Sequence, residues 1–298
     1  MPPKRNNQPP LALFAAALLA GAAFGRATNA PISYEAETEA SYVGSAQLNR
    51  DKGNTGSIDE AETRAHVVLS LPIRDELLLR LGVDWQRKSY ELPEHSMLPN
   101  TLQSLALIVG ADFQVAQTWL VRFEAQPGYY NTGRDLRWAG VNVPMILGVS
   151  YFVSADLQLV AGVSFDVERK YSFLPGAGLR WKFAERWVFN GILPAPRLEF
   201  TASKALMLYA GANLREDTYR VPSDFGLVQG DVKLNGAVLD DFELRIGAGA
   251  SWEAAKGVHV EIETGAVPVH EFDFHRADIR RRIVEPAAYV DLSIKAEF

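Results

Sequence analysis

Histidine is the side chain that most readily moves protons near neutral pH. The chain has five: His66, His95, His259, His270 and His275. His66 stands in an alternating row with Glu62 and Arg64, and His259 stands beside Glu261. General acid–base work is one reading of such neighbours. Membership of a polar lumen network is the other reading, and the preferred one. Glu94, His95 and Ser96 have the residue types of a triad, but base and nucleophile meet in space, and adjacent loop residues rarely do so. The segment "HEFDFH" (270–275) has the best spacing for a cation. Alternate residues of an extended strand share a face, so Glu271, Asp273 and His275 can converge on one ion. An exposed loop is the competing reading, and the preferred one. "PGAG" (175–178) has the glycines of a phosphate loop, but no Lys-Ser or Lys-Thr follows it. Cysteine is absent, which removes thiol catalysis, disulfides and thiolate metal sites. The sequence therefore assigns no catalytic residue, no cofactor and no metal ligand, and it predicts a protein that is not an enzyme.

The elements that carry these residues are strands. Leu77, Leu79, Leu81, Val83 and Trp85 alternate with Arg80, Gly82, Asp84 and Gln86. Phe242, Leu244, Ile246, Ala248, Ala250 and Trp252 face away from Glu243, Arg245, Gly247 and Gly249. Val290, Leu292, Ile294, Ala296 and Phe298 alternate with Asp291, Ser293, Lys295 and Glu297 up to the last residue. A period of two fits these windows, and helical spacing fits none as well. Short connections are predicted at 72–76, 116–118, 154–156, 184–186, 202–204 and 254–257. Longer ones, rich in Asn, Gly, Pro and charge, are predicted at 49–59, 87–102, 127–138, 168–175, 220–237 and 268–284.

Short turns on one side and long loops on the other are the layout of a transmembrane antiparallel up-and-down β-barrel. If "LPAP" (193–196) is a tight loop between two short strands, the count is about fourteen, with twelve as the alternative. Trp119, Tyr151, Phe183, Trp187, Phe200 and Trp252 lie close to the short turns, where an aromatic girdle belongs.

The bulk numbers agree. With 48% hydrophobic residues and a net charge of −6, the chain is neither disordered nor a basic nucleic-acid binder. Its mean hydropathy of −0.06 does not fit a helical membrane protein. Lys4 and Arg5 precede the apolar run Leu11–Phe24, the layout of a secretory signal peptide. Residues 1–30 are read as that peptide, cleaved between about 23 and 30, and 31–298 as a single barrel domain. The first strand begins so near this cleavage zone that no N-terminal plug is expected.

The predicted lumen is the informative surface. Glu35 and Glu37 line it on the first strand, Glu62 and Arg64 on the second, and Arg80 and Asp84 on the third. Arg122, Glu124, Arg180 and Lys182 follow, then Arg215, Glu243 and Arg245. Glu261, Glu263 and Lys295 complete it, and closure of the barrel would bring Lys295 to a first-strand glutamate. A lumen of both signs is either a wet, weakly selective pore or a salt-bridged interior too narrow to conduct. The first reading predicts passive passage of small solutes. The second predicts a structural or surface-binding barrel that works through its outer loops. The basic stretch "HRADIRRR" (275–282) would sit in the last outer loop and could meet lipid phosphates.

The signal peptide, the strand meander and the aromatic end, Tyr289 to Phe298, resemble bacterial outer-membrane β-barrel proteins. "FLPGAGLRWKFAERWVFNGILPAPRLEF" with "LMLYAGANLREDTYRV" resembles the outer-membrane barrel family DUF6268. The matching features are Pro175-Gly176 with Gly178, the Trp187 turn, Pro194 and Pro196, and Tyr219-Arg220-Val221. The resemblance implies an outer-membrane location. It also implies that the barrel-assembly machinery recognises the terminal strand, with Tyr289 and Phe298 as its signal. Outer-membrane lipid and lipopolysaccharide are the implied surroundings. No activity or cofactor follows from it.

Overall fold

The computed structural model describes residues 32–50, 53–94, 96–133 and 138–298. The signal peptide expected over 1–30 and the loop residue His95 lie outside these residues. The first half contains β1 (Ser33–Arg50), β2 (Gly53–Arg74), β3 (Leu77–Glu91), β4 (Thr101–Ala116), β5 (Trp119–Ala125), β6 (Gly128–Asn131), β7 (Val141–Asn142), β8 (Met145–Phe152) and β9 (Leu157–Phe165). The second half contains β10 (Phe173–Ala184), β11 (Trp187–Asn190), β12 (Arg197–Thr201), β13 (Leu206–Arg220), β14 (Val238–Ala255), β15 (Val258–Phe274), β16 (Ile279–Ile283) and β17 (Ala287–Glu297).

Three pairs of segments are single spans broken near a proline: Pro127 between β5 and β6, Pro144 between β7 and β8, and Pro286 between β16 and β17. Proline cannot donate to the ladder, so pairing lapses there and resumes beyond it. Counted as spans, the seventeen segments form a closed, antiparallel wall of fourteen strands. The seam is β1 against β17, in register from Glu35 opposite Glu297 to Val43 opposite Tyr289. Phe298 is held as well: its N–H donates to the Tyr34 carbonyl at 3.0 Å and its carbonyl accepts from Tyr34 at 2.8 Å. No sheet edge is left open along this seam.

Outward side chains form an apolar belt, with Leu81, Val83, Leu105, Leu107, Val109, Leu292 and Ile294 all exposed. The belt ends where outward residues turn polar. Arg87 on β3 donates to Gln103 on β4, and Tyr42 on β1 donates to Asp59 on β2. At the short-turn end the girdle is present: Trp119 packs against Tyr151 and Trp187 against Phe200, each pair tilted with ring centroids 4.7 Å apart, and Trp252 is exposed.

Three of the connections expected as long loops are structured. The stretch 49–59 lies largely in the β1–β2 hairpin, because both strands rise past the belt. The stretch 268–284 holds the end of β15, a turn and β16. Between β13 and β14, a helix α1 (Phe225–Gln229) and a 3₁₀ turn (Val232–Leu234) fold over the outer mouth. There Leu48, Leu98, Leu102, Leu234, Leu239, Phe272 and Phe274 form a fully buried apolar layer.

The wall is uneven in height. β2 has 22 residues, whereas β11 and β12 have four and five. Above this low flank Arg220 of β13 pairs with Asn131 of β6, so the tall strands meet again on the outer side.

Candidate functional site: a charged lumen

The inward row of each strand carries the charge, because one face of every span must meet lipid. The lumen is built in tiers. At the short-turn end, Glu35 accepts from both terminal nitrogens of Arg80 at 3.1 and 3.2 Å, and Glu124 lies 3.9 Å from Arg80. Arg122 makes a two-pronged contact with Asp112 at 2.5 Å. Lys295 lies 3.3 Å from Glu37 and 3.1 Å from Glu261, so closure does bring it to a first-strand glutamate. His66 sits 3.8 Å from that same Glu37. Arg180 lies 3.6 Å from Glu199, which also accepts from Arg197 at 2.8 Å. Lys182 is exposed beside the turn that follows β10.

The middle tier is denser. Arg215 bridges Glu39 and Glu62, and Arg64 makes a two-pronged contact with Asp84. Arg245 is the hub. It donates to Glu243 at 2.5 Å, to Ser41 at 2.6 Å and to Glu62 at 3.2 Å, with Glu60 at 3.5 Å. Its guanidinium also lies over the Tyr289 ring at 5.3 Å. Tyr289 thus points inward and donates to Glu263. It does not share the outward face of Phe298, the other residue of the expected assembly signal.

Above this lies a tier not foreseen from the sequence. Lys88, fully buried, donates to Asp241 at 2.7 Å, and Tyr90 donates to the same carboxylate at 3.2 Å. His270 meets Asp241 from the other side at 2.7 Å. Lys88 continues the row Asp84, Gln86 and Asp241 precedes Glu243 by two, so the signal was the same alternation carried further. Charge and proline in 87–102 make that stretch read as loop and hide the row.

"HEFDFH" also differs from its reading. It is strand up to Phe274, with His275 in the turn that follows, and His270 rather than Glu271, Asp273 and His275 faces the lumen. Asp273 is held by Lys170 and Arg280, Glu271 by Arg280, and His275 lies 3.0 Å from Asp240. These three do not converge. Of the basic stretch 275–282, Arg281 is buried, Arg280 is paired, Arg276 is exposed but lies 3.0 Å from Glu168, and Arg282 is exposed.

A closed barrel with an apolar outer belt, an aromatic girdle and a charged lumen is a transmembrane β-barrel. No protein-family model matches the chain, and no curated protein does. Solved structures similar to it include an outer membrane channel from Pseudomonas putida F1, 8% identical over 93% of this chain and all of that one, with a TM-score of 0.48. The Pseudomonas putida toluene transporter TodX is 10% identical over 90% of each chain, with a TM-score of 0.46. The NanC porin is 8% identical over 88% of this chain and 98% of that one, with a TM-score of 0.40. Likeness at this level is likeness of barrels, and it says nothing of what this chain carries.

Proposed function

We propose that the chain is a passive, porin-like outer-membrane channel for small solutes, with its outer mouth shut. The observation that carries this is the lumen itself. A wall of fourteen spans is lined through the membrane belt by side chains of both signs, and several at the inner end, such as Arg180 and Lys182, meet solvent. Selection would come from lumen width and charge rather than from a catalytic step. In this reading lipid surrounds the belt, the exposed Arg282 meets lipopolysaccharide phosphates, and Phe298 serves the assembly machinery. The motif around Pro175, Trp187 and Pro196 supports membership of DUF6268.

The test is conductance in planar bilayers. The wild type should open rarely and in discrete steps. Replacing 223–236, which covers the mouth, with a short Gly-Ser linker should raise the open fraction strongly. A second reading is favoured by the apolar layer of Leu48, Leu98, Leu102, Phe272 and Phe274 across the outer half: a non-conducting barrel that acts through its surface. Silence from both folded proteins, across salts and voltages, would select that reading and defeat the first.

A further inference from the structure

Glu60 on β2, Glu243 on β14 and His270 on β15 each bring one oxygen or nitrogen to within 4.8 Å of the others, and all three side chains are buried. Strand pairing sets Glu243 directly opposite His270. Glu60 reaches them from across the lumen. The two nitrogens of His270 are engaged differently. Nε2 lies 2.7 Å from Asp241, whose carboxylate is locked on Lys88, so Nε2 carries the proton and donates. Nδ1 faces Glu60 Oε2 at 3.7 Å, and that oxygen is buried with no hydrogen-bond partner.

Glu60 Oε2 thus has no hydrogen-bond donor within reach, which is costly away from water. The gap is too long for a hydrogen bond. It suits two ligands of one ion, which stand about 3–4 Å apart when each bond is near 2 Å. Glu243 accepts from Arg245 and keeps lone pairs free. Charge balance points the same way. Glu60, Glu62, Asp241 and Glu243 crowd together, while the fully buried cations among them are Lys88 and Arg245. Arg215 helps Glu62 but is shared with Glu39.

We propose that Glu60, Glu243 and His270 form a site for one divalent transition-metal ion of the zinc type, with Asp241 as the carboxylate that orients His270. Imidazole with carboxylates suits zinc, and a carboxylate behind the distal nitrogen is the usual support for a ligating histidine. The ion would tie β2 to β14 and β15 just beneath the apolar layer, pinning the tall side of the barrel. This proposal does not depend on whether the lumen conducts.

The experiment uses the full folded barrel in detergent, stripped with chelator and titrated with zinc chloride by calorimetry. Retained zinc is counted after dialysis. Wild type should retain about one ion per chain, and Glu60→Gln and His270→Gln should each weaken binding at least about tenfold. Glu271→Gln and Asp273→Asn, on the other face of β15, should bind as wild type does. X-ray absorption of the zinc-loaded protein should show one imidazole nitrogen among oxygen ligands. It decides the matter with Glu60→Gln alone if His270→Gln fails to fold by heat-modifiable gel migration. Folded wild type that takes up no zinc, equal affinity in Glu60→Gln, loss in the Glu271 control, or an all-oxygen zinc shell would each overturn the proposal.

Discussion

Arg245 donates to Glu243, Glu62 and Glu60 while only 1% exposed. Such a hub is weak evidence of net stabilisation, because desolvating the charges offsets most of their attraction. Removing one partner is different, since the other charges stay buried. Arg245→Met should therefore cost about 3–5 kcal/mol, read as a lower urea midpoint of the barrel folded in lipid vesicles. Gly247 makes room at the same place, for a Cβ there would collide with the Tyr289 hydroxyl. Glu216 behaves oppositely to a paired carboxylate. Its neighbour Arg169 belongs to the long connection between β9 and β10, so Glu216 sits at the level of the outer loops rather than in the belt. Its Oε2 has no hydrogen bond, Arg169 stands 3.9 Å away, and burial pushes the carboxyl up to about 7. A folded pKa above the unfolded 4.5 means that the native state binds more protons between those values. Stability contributed there is present at acid pH and is lost as pH rises from about 4.5 through about 7. Glu216→Gln should flatten this slope and raise stability at pH 8 by about 1–3 kcal/mol. An unchanged slope of the unfolding midpoint between pH 5 and 8 would contradict it.

The spans within the belt were legible because lipid on one side and charge on the other force a strict alternation. Leu77 to Trp85 on β3 and Val290 to Ile294 on β17 are the clearest cases. The split of 187–200 into β11 and β12 followed from parity and turn residues alone. Strand ends were not legible. Above the belt no lipid enforces the pattern, so the polar stretch 49–59 read as loop although it is largely hairpin. The face of "HEFDFH" was misjudged for a related reason. The β14–β15 register slips between Leu244 and Ile246, so rows counted from below do not carry through. At the last strand, Phe298 keeps its backbone bonds with Tyr34 whatever its side chain. Phe298→Asp should therefore spare the folded barrel but sharply reduce its insertion. The check is the heat-modifiable band in outer-membrane fractions. A yield equal to wild type would count against Phe298 as the assembly signal.

At the scale of the molecule, the buried charge and the apolar layer belong together. Lys88 and Asp241 sit fully buried at the level where the lumen lining changes from charged to apolar. The sequence showed the charge and hid the closure. The closing residues Leu98, Leu234 and Phe274 come from connections and strand tips whose packing no local period encodes. The seam carries a consequence for how the molecule comes into being. Glu35 lies opposite Glu297, so the contact that closes the ring joins opposite ends of the described chain. Loop closure over so long a separation is entropically slow, and topologies dominated by distant contacts fold late. Every other neighbour pair in the wall can form before this one. Closure of the seam is therefore expected to come late, and until it does the margins of β1 and β17 are open to pairing with a second chain.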